Sequence, residues 1–112
     1  MELNKETIDA VTVVAVVGEV NAATAPSLDR LIREEQEGGQ FRLVIDLSQA
    51  GYVSSAGMRV LLVGGKSCRR NGGDLRLAGL PEPVKEVFDM AGFSSLFELF
   101  DDAEAAVVSF SA

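Results

Sequence analysis

The chain predicts a single α/β domain built on a mixed sheet, and three observations carry that prediction. Ala10–Val17 is too rich in valine to read as helix, and Leu43–Leu47 is a nearly continuous apolar run that includes the β-branched Val44 and Ile45. Between and after them, apolar residues recur at helical spacing: Ala25, Leu28, Leu31 and Ile32, then Met58, Leu61, Leu62, Gly65 and Cys68. The handover from strand to helix falls at Ser54-Ser55, two residues that cap helices well.

Taken in order, residues 2–8 read as a first, weak strand, and Ala10–Val17 as a second that Gly18 ends. Asn21–Thr24 reads as a turn with Thr24 as the N-cap of the first helix, and Pro26 fits that helix's first turn. Glu34, Glu35 and Glu37 read as a solvated face, and Gly38-Gly39 ends the helix. Phe41–Leu47 is the central strand, nearly continuous in apolar residues as expected when both faces are covered. Ser48–Gly51 has loop chemistry. Ser55–Asn71 is the second helix. Gly64-Gly65 inside it costs about 1 kcal/mol per glycine relative to alanine, which close packing on the sheet would explain.

Asp74–Ala78 is the next strand and Gly79–Pro83 a turn. Val84, Val87, Phe88 and Ala91 mark a third amphipathic helix closed by Gly92. Phe97–Phe100 is a short strand or a helical turn, and Asp101-Asp102 caps a last helix running to about Phe110. The order is β-β-α-β-α-β-α-(β)-α, with right-handed crossovers where strands are parallel. No repeat, low-complexity segment or linker divides residues 1–112, so one domain is expected.

Composition narrows the function classes. A net charge of −7 argues against a nucleic-acid surface, which needs a clustered basic face. Lys66, Arg69 and Arg70 form the one basic cluster and suit the C-terminal end of a helix. With no histidine, His-based triads and the usual zinc sites are excluded. Cys68 is single and reads as a small core residue. No apolar run is long enough to span a membrane and the N-terminus does not read as a signal peptide, so a cytoplasmic protein is expected. No cofactor or metal site is expected.

Ser55 has three readings. It caps a helix, it accepts a regulatory phosphate, or it is a nucleophile. A phosphate would meet the free N–H groups and positive dipole of the helix start. A nucleophile lacks both a base and the Gly-x-Ser-x-Gly frame, so no enzyme is expected. Gly64-Gly65-Lys66-Ser67 falls inside a helical pattern with Val60 where a phosphate loop needs glycine. Asp46, at a strand end, reads as a turn-capping residue in preference to a functional one. Tyr52 reads as a packed ring with a wet hydroxyl, or as a partner contact.

Ile45–Leu62, Ile-Asp-Leu-Ser-Gln-Ala-Gly-Tyr-Val-Ser-Ser-Ala-Gly-Met-Arg-Val-Leu-Leu, resembles the signature of STAS domains, in particular the single-domain anti-sigma-factor antagonists of bacteria. Gly18–Ala25, Leu75–Leu80 and Val84–Phe93 extend the resemblance over nearly the whole chain. It implies a small α/β sandwich with a mixed central sheet and helices mainly on one face. It implies a protein that binds an anti-sigma factor with serine kinase activity and is switched off by phosphorylation. The resemblance further implies a serine phosphatase that resets it, with ATP and magnesium belonging to the kinase.

The family's phosphoserine falls on Ser55, with Ser54 as the competing assignment. Ser54 and Asn21 stand where the family carries aspartate, so two negative charges are missing beside Ser55. The partner surface implied is Asn21, Thr24, Tyr52, Ser54, Ala56, Gly57 and Arg59, provided the second and third strands are sheet neighbours. The alternative is an unphosphorylated STAS scaffold or adaptor in a signalling or lipid-transport complex.

Overall fold

The chain starts with a hairpin, β1 (Glu2–Ile8) and β2 (Val11–Val20), in the computed structural model, which describes residues 1–111. Asp9 and Ala10 form the two-residue turn with φ of 49° and 66°, the positive values that a type I′ hairpin requires. Ala10 is therefore a turn residue and not the start of the strand.

Then follow α1 (Ala25–Glu37), β3 (Arg42–Val53), α2 (Ser55–Arg70), β4 (Asp74–Ala78) and α3 (Glu82–Met90). A 3₁₀ turn at Ser94–Leu96 leads to β5 (Leu99–Phe100) and α4 (Ala103–Ser109). The sheet runs β1-β2-β3-β4-β5, with β1 antiparallel and the remaining neighbours parallel. The ambiguous Phe97–Phe100 segment resolves as strand over its last two residues.

Side chains alternate across the sheet, so β3 sends Leu43, Ile45 and Leu47 one way and Val44 and Asp46 the other. The first set joins the larger core with Val14 and Val16, Leu28 and Ile32 of α1, Leu61 of α2 and Phe88 of α3. Val44 joins Val11, Val13 and Ala78 in a smaller core under Ala106 and Val107 of α4. Among the described residues three helices thus cover one face and one seven-residue helix the other. That is a mixed sheet with its helices mainly on one face.

β3 is longer than its sequence suggests. Ser48–Gly51 is strand, not loop, and Gly18 does not end β2. Between the pairs Ala15–Asp46 and Val17–Gln49, Val16 faces two residues, Leu47 and Ser48. Between Val17–Gln49 and Glu19–Tyr52, Gly18 faces Ala50 and Gly51. These are two successive bulges on β3. They turn the inward spacing from two to three, so Leu47, Ala50 and Val53 are all buried. Gly18, at φ 103°, supplies a backbone conformation that suits glycine opposite the second bulge.

Polar contacts pin the layers. Glu35 of α1 accepts from Thr12 Oγ1 and from Lys5 Nζ, both at 2.8 Å, and ties α1 to the hairpin. On the opposite face, Arg76 pairs with Asp74 and Glu98 at 3.0 Å and lies 4.1 Å over the Phe110 ring, holding the end of α4. Gln36 donates to the Gly64 carbonyl at 3.0 Å and to Cys68 Sγ at 3.3 Å. Cys68 is buried, and burial raises its thiol pKa. A Cβ on Gly64 would stand 3.0 Å from Ile32 Cγ2 and 3.3 Å from Leu75 Cδ1, so this glycine lets α2 approach α1 and β4. Gly65 faces only the Arg69 side chain, so close packing explains one of the pair and not the other.

Two outcomes follow for stability. Ala10→Gly relieves a side chain held in the left-handed region, and urea unfolding should show a gain of about 0.5–1 kcal/mol. Glu35 has its carboxyl pKa lowered, first by the hydrogen bond from Lys5. A lowered pKa stabilises the fold above the unfolded-state value and is lost as pH falls through the folded one. The stability difference between wild type and Glu35→Gln should therefore be largest near neutral pH and close below about pH 4. A gap that widens on acidification would refute the assignment.

Candidate functional site

β2 and β3 run parallel, so both leave the sheet at the same edge, and their last pairs are Glu19–Tyr52 and Val20–Val53. The condition set by the sequence is therefore met. The Asn21–Thr24 turn and the start of α2 lie side by side. One residue, Ser54, separates β3 from α2, so Tyr52–Gly57 is a strand end running straight into a helix rather than a loop.

The first of these segments caps α1 through Asn21, not Thr24. Thr24 has helical φ and ψ and its side chain does not cap. Instead Asn21 Oδ1 accepts from the backbone N–H groups of Ala23 at 2.9 Å and Thr24 at 3.1 Å. Thr24 Oγ1 accepts from the Asn21 N–H at 2.8 Å and donates to the Glu19 carbonyl at 2.9 Å. The turn is closed on itself. An amide oxygen makes the same two bonds as a carboxylate, so asparagine keeps the turn and omits a charge.

The two serines have different tasks. Ser54 is the N-cap of α2, and its Oγ accepts from the Gly57 N–H at 3.3 Å. Its own N–H donates to the Val20 carbonyl at 2.8 Å, which locks the helix start to β2. Ser55 is the first helical residue, exposed, and among the described residues its hydroxyl has no hydrogen-bond partner. The first backbone N–H groups of any helix lack intrahelical acceptors, and α2 has no acidic residue in its first turn. Ser55 thus sits at a positive helix end with no fixed carboxylate on its own turn.

The remaining predicted residues divide. Tyr52 is 48% exposed, so its ring is on the surface and not packed inside. Arg59 is exposed, one turn along α2 from Ser55, and makes no ion pair among the described residues. Ala56 is half-buried against the larger core. Gly57 is buried. A Cβ there would stand 2.7 Å from Val20 Cγ1 and 3.0 Å from Val53 Cγ1, so it seats the helix rather than offering a surface. Val63 was not among the residues read from the sequence. It is 53% exposed and continues the Ser55–Arg59 row at four-residue spacing. The signal was present, since Val63 lies off the Met58–Leu61–Cys68 face.

Among the described residues no group of three or more Cys, Asp or Glu side chains is placed to hold a metal ion, and no helix is long and apolar enough to cross a membrane. The site is an exposed hydroxyl on a rigid helix end, flanked by a tyrosine, an arginine and a closed turn. It offers a surface and an acceptor hydroxyl rather than a cleft.

A protein from Bordetella bronchiseptica named as an anti-sigma factor antagonist, BtrV, is 37% identical over 110 residues, which is 98% of this chain and 95% of that one. The fold matches the crystal structure of a Thermotoga maritima protein described as an anti-sigma factor antagonist with a TM-score of 0.93 at 19% identity, over 98% of this chain and 95% of that one. It also matches SpoIIAA, a Bacillus cell fate determinant solved in its phosphorylated form, with a TM-score of 0.76 at 14% identity, over 96% and 98% of the two chains. The STAS domain model matches residues 2–106, and the chain belongs to that family.

Proposed function

We propose that this chain is an anti-sigma-factor antagonist switched by phosphorylation of Ser55. Unmodified, it binds an anti-sigma factor with serine kinase activity through the edge formed by Asn21–Thr24, Tyr52 and the Ser55–Arg59 row, and so frees a sigma factor. Phosphorylation ends that binding, and a serine phosphatase restores it. The pathway is cytoplasmic, and the chain is a substrate and binding partner rather than an enzyme. The names of the relatives support the antagonist reading.

One observation carries the choice of residue. The Ser54 hydroxyl is engaged as a cap, while the neighbouring Ser55 hydroxyl is exposed and unengaged. A phosphate on Ser55 adds about −1.5 to −2 charge at the edge where the partner docks. The free N–H groups and dipole of α2 accommodate that charge without unfolding the domain. In an interface the same charge is desolvated and opposes binding. The Ser54 hydroxyl is half-buried and committed to the Gly57 N–H, so it is less open to a kinase than the Ser55 hydroxyl.

The test is phosphopeptide mapping after incubation with the cognate kinase and ATP, followed by binding measurements on variants. One phosphoryl group on Ser55 is expected, and none in Ser55→Ala. Ser55→Ala should keep the partner, and Ser55→Asp should weaken binding about tenfold or more, equivalent to about 1.4 kcal/mol. Equal binding by both variants, or phosphate confined to Ser54, overturns the reading. A chain that stays unmodified while holding its partner would be the unphosphorylated scaffold.

A further inference from the structure

The face of the sheet under α4 is only partly covered. α4 packs over the start of β2 and over β3, β4 and β5, and leaves the β1 side open. A groove of about 630 Å³ runs there between β1 and α4. Its apolar surface comes from Val13 and Ala15 of β2, Ile8 of β1, and Val107 and Val108 of α4. Val13 and Val107 are buried, while Ile8 is 38% and Val108 61% exposed, so apolar surface rises from the floor to the rim. Those side chains share the α4 face because Glu6 pairs with Val13 and Asn4 with Ala15 in register.

Apart from Asn4 and Lys5, the polar residues of the groove are acidic. Glu6, Asp9, Asp46 and Glu104 line it, and none of the four enters an ion pair among the described residues. Lys5 is the one cation in the lining, and its ammonium is held at 2.8 Å by Glu35 of α1. Asp46 is half-buried, and its Oδ1 accepts from the Ser48 N–H at 3.0 Å. Asp46 is not a turn-capping residue at a strand end: it lies inside β3, where its bond to Ser48 spans the first bulge and leaves the second oxygen unassigned.

We propose that this groove is a second docking site, for a partner protein segment that presents an apolar side chain flanked by lysine or arginine. Charge complementarity selects that occupant. Four carboxylates around an apolar floor attract a basic flank and repel an anionic lipid surface or a nucleic acid. A second copy of this chain, at net charge −7, would bring the same carboxylates against themselves. The volume falls in the range of ligand-binding clefts, about 300–1,000 Å³. The site does not rest on the Ser55 reading, because it lies on the opposite sheet face and toward the opposite end of β2.

The test is an amide-shift NMR titration of the full chain with a short synthetic peptide of alternating lysine and leucine, and with its glutamate–leucine counterpart. Shifts centred on Ile8, Val13, Ala15 and Val107 are expected with the lysine peptide alone. The double variant Glu6→Lys, Glu104→Lys and the single variant Val108→Asp change exposed side chains, and each should weaken binding about tenfold or more. The proposal is overturned by shifts spread over the acidic surface or centred on Ser55 and Arg59, by equal binding of the glutamate peptide, or by unchanged affinity in both variants. Self-association abolished by Val108→Asp would also overturn it, since the occupant would then be a second copy.

Discussion

The parallel pairing of β2 with β3 is the constraint on which the rest depends. It carries two bulges, yet its final pair, Val20–Val53, remains in register and fully inside the core. Because the pairing survives to the last residue, the α1 cap and the α2 start leave the sheet as neighbours. Gly57 then seats α2 at a distance that no side chain would permit, with Val20 on one side and Val53 on the other. Shortening β3 to the Leu43–Leu47 core would still yield an α/β domain. It would not bring Asn21 and Ser55 to one edge.

Element identity was legible in the sequence wherever periodicity was unbroken. The four helices and the strands β2 and β4 of the described residues follow from spacing and punctuation at Pro26, Gly38 and Gly92. The second half of β3 was not legible, and the reason is geometric. Each bulge sets two residues of β3 against one of β2, so the buried positions Leu47, Ala50 and Val53 fall at intervals of three. Alternation, the signal by which a half-buried strand is recognised, is absent there, and Ser48, Gln49 and Gly51 imitate a loop. Thr24 misled for a related reason. Threonine caps helices well, but Asn21 three residues earlier closes the turn first and leaves Thr24 a supporting bond to Glu19.

The serine pair shows how local structure sorts residues that sequence leaves equivalent. Both are good caps by type. Only one can hold the N-cap position, and the chain fixes which through the Ser54 N–H bond to the Val20 carbonyl. Ser55 then lies inside the first turn, where its side chain has no backbone donor to serve. The same division explains how an aspartate in the family's pattern can be replaced by Ser54. The cap needs an acceptor oxygen, which a hydroxyl supplies without charge. What changes is the electrostatic neighbourhood of Ser55, which loses a fixed negative neighbour and retains Arg59 one turn away.

In the switch proposed for Ser55, a rigid helix end would make charge, rather than a change of shape, the means of control. The α2 start is held by a cap, by a backbone bond to β2 and by glycine-mediated contact, so a new charge on Ser55 has no loose segment to reorder. Its influence is then electrostatic and short-ranged, screened over about 8 Å at physiological ionic strength. Val13 and Val20 are separated along β2 by about 23 Å of strand at the usual rise per residue. The groove under α4 therefore lies beyond the reach of the Ser55 charge. Two partners on these two faces would therefore bind with little electrostatic coupling. A partner held in the groove would stay bound while the Ser55 edge exchanges its own, and the sheet would serve as a fixed spacer between the two.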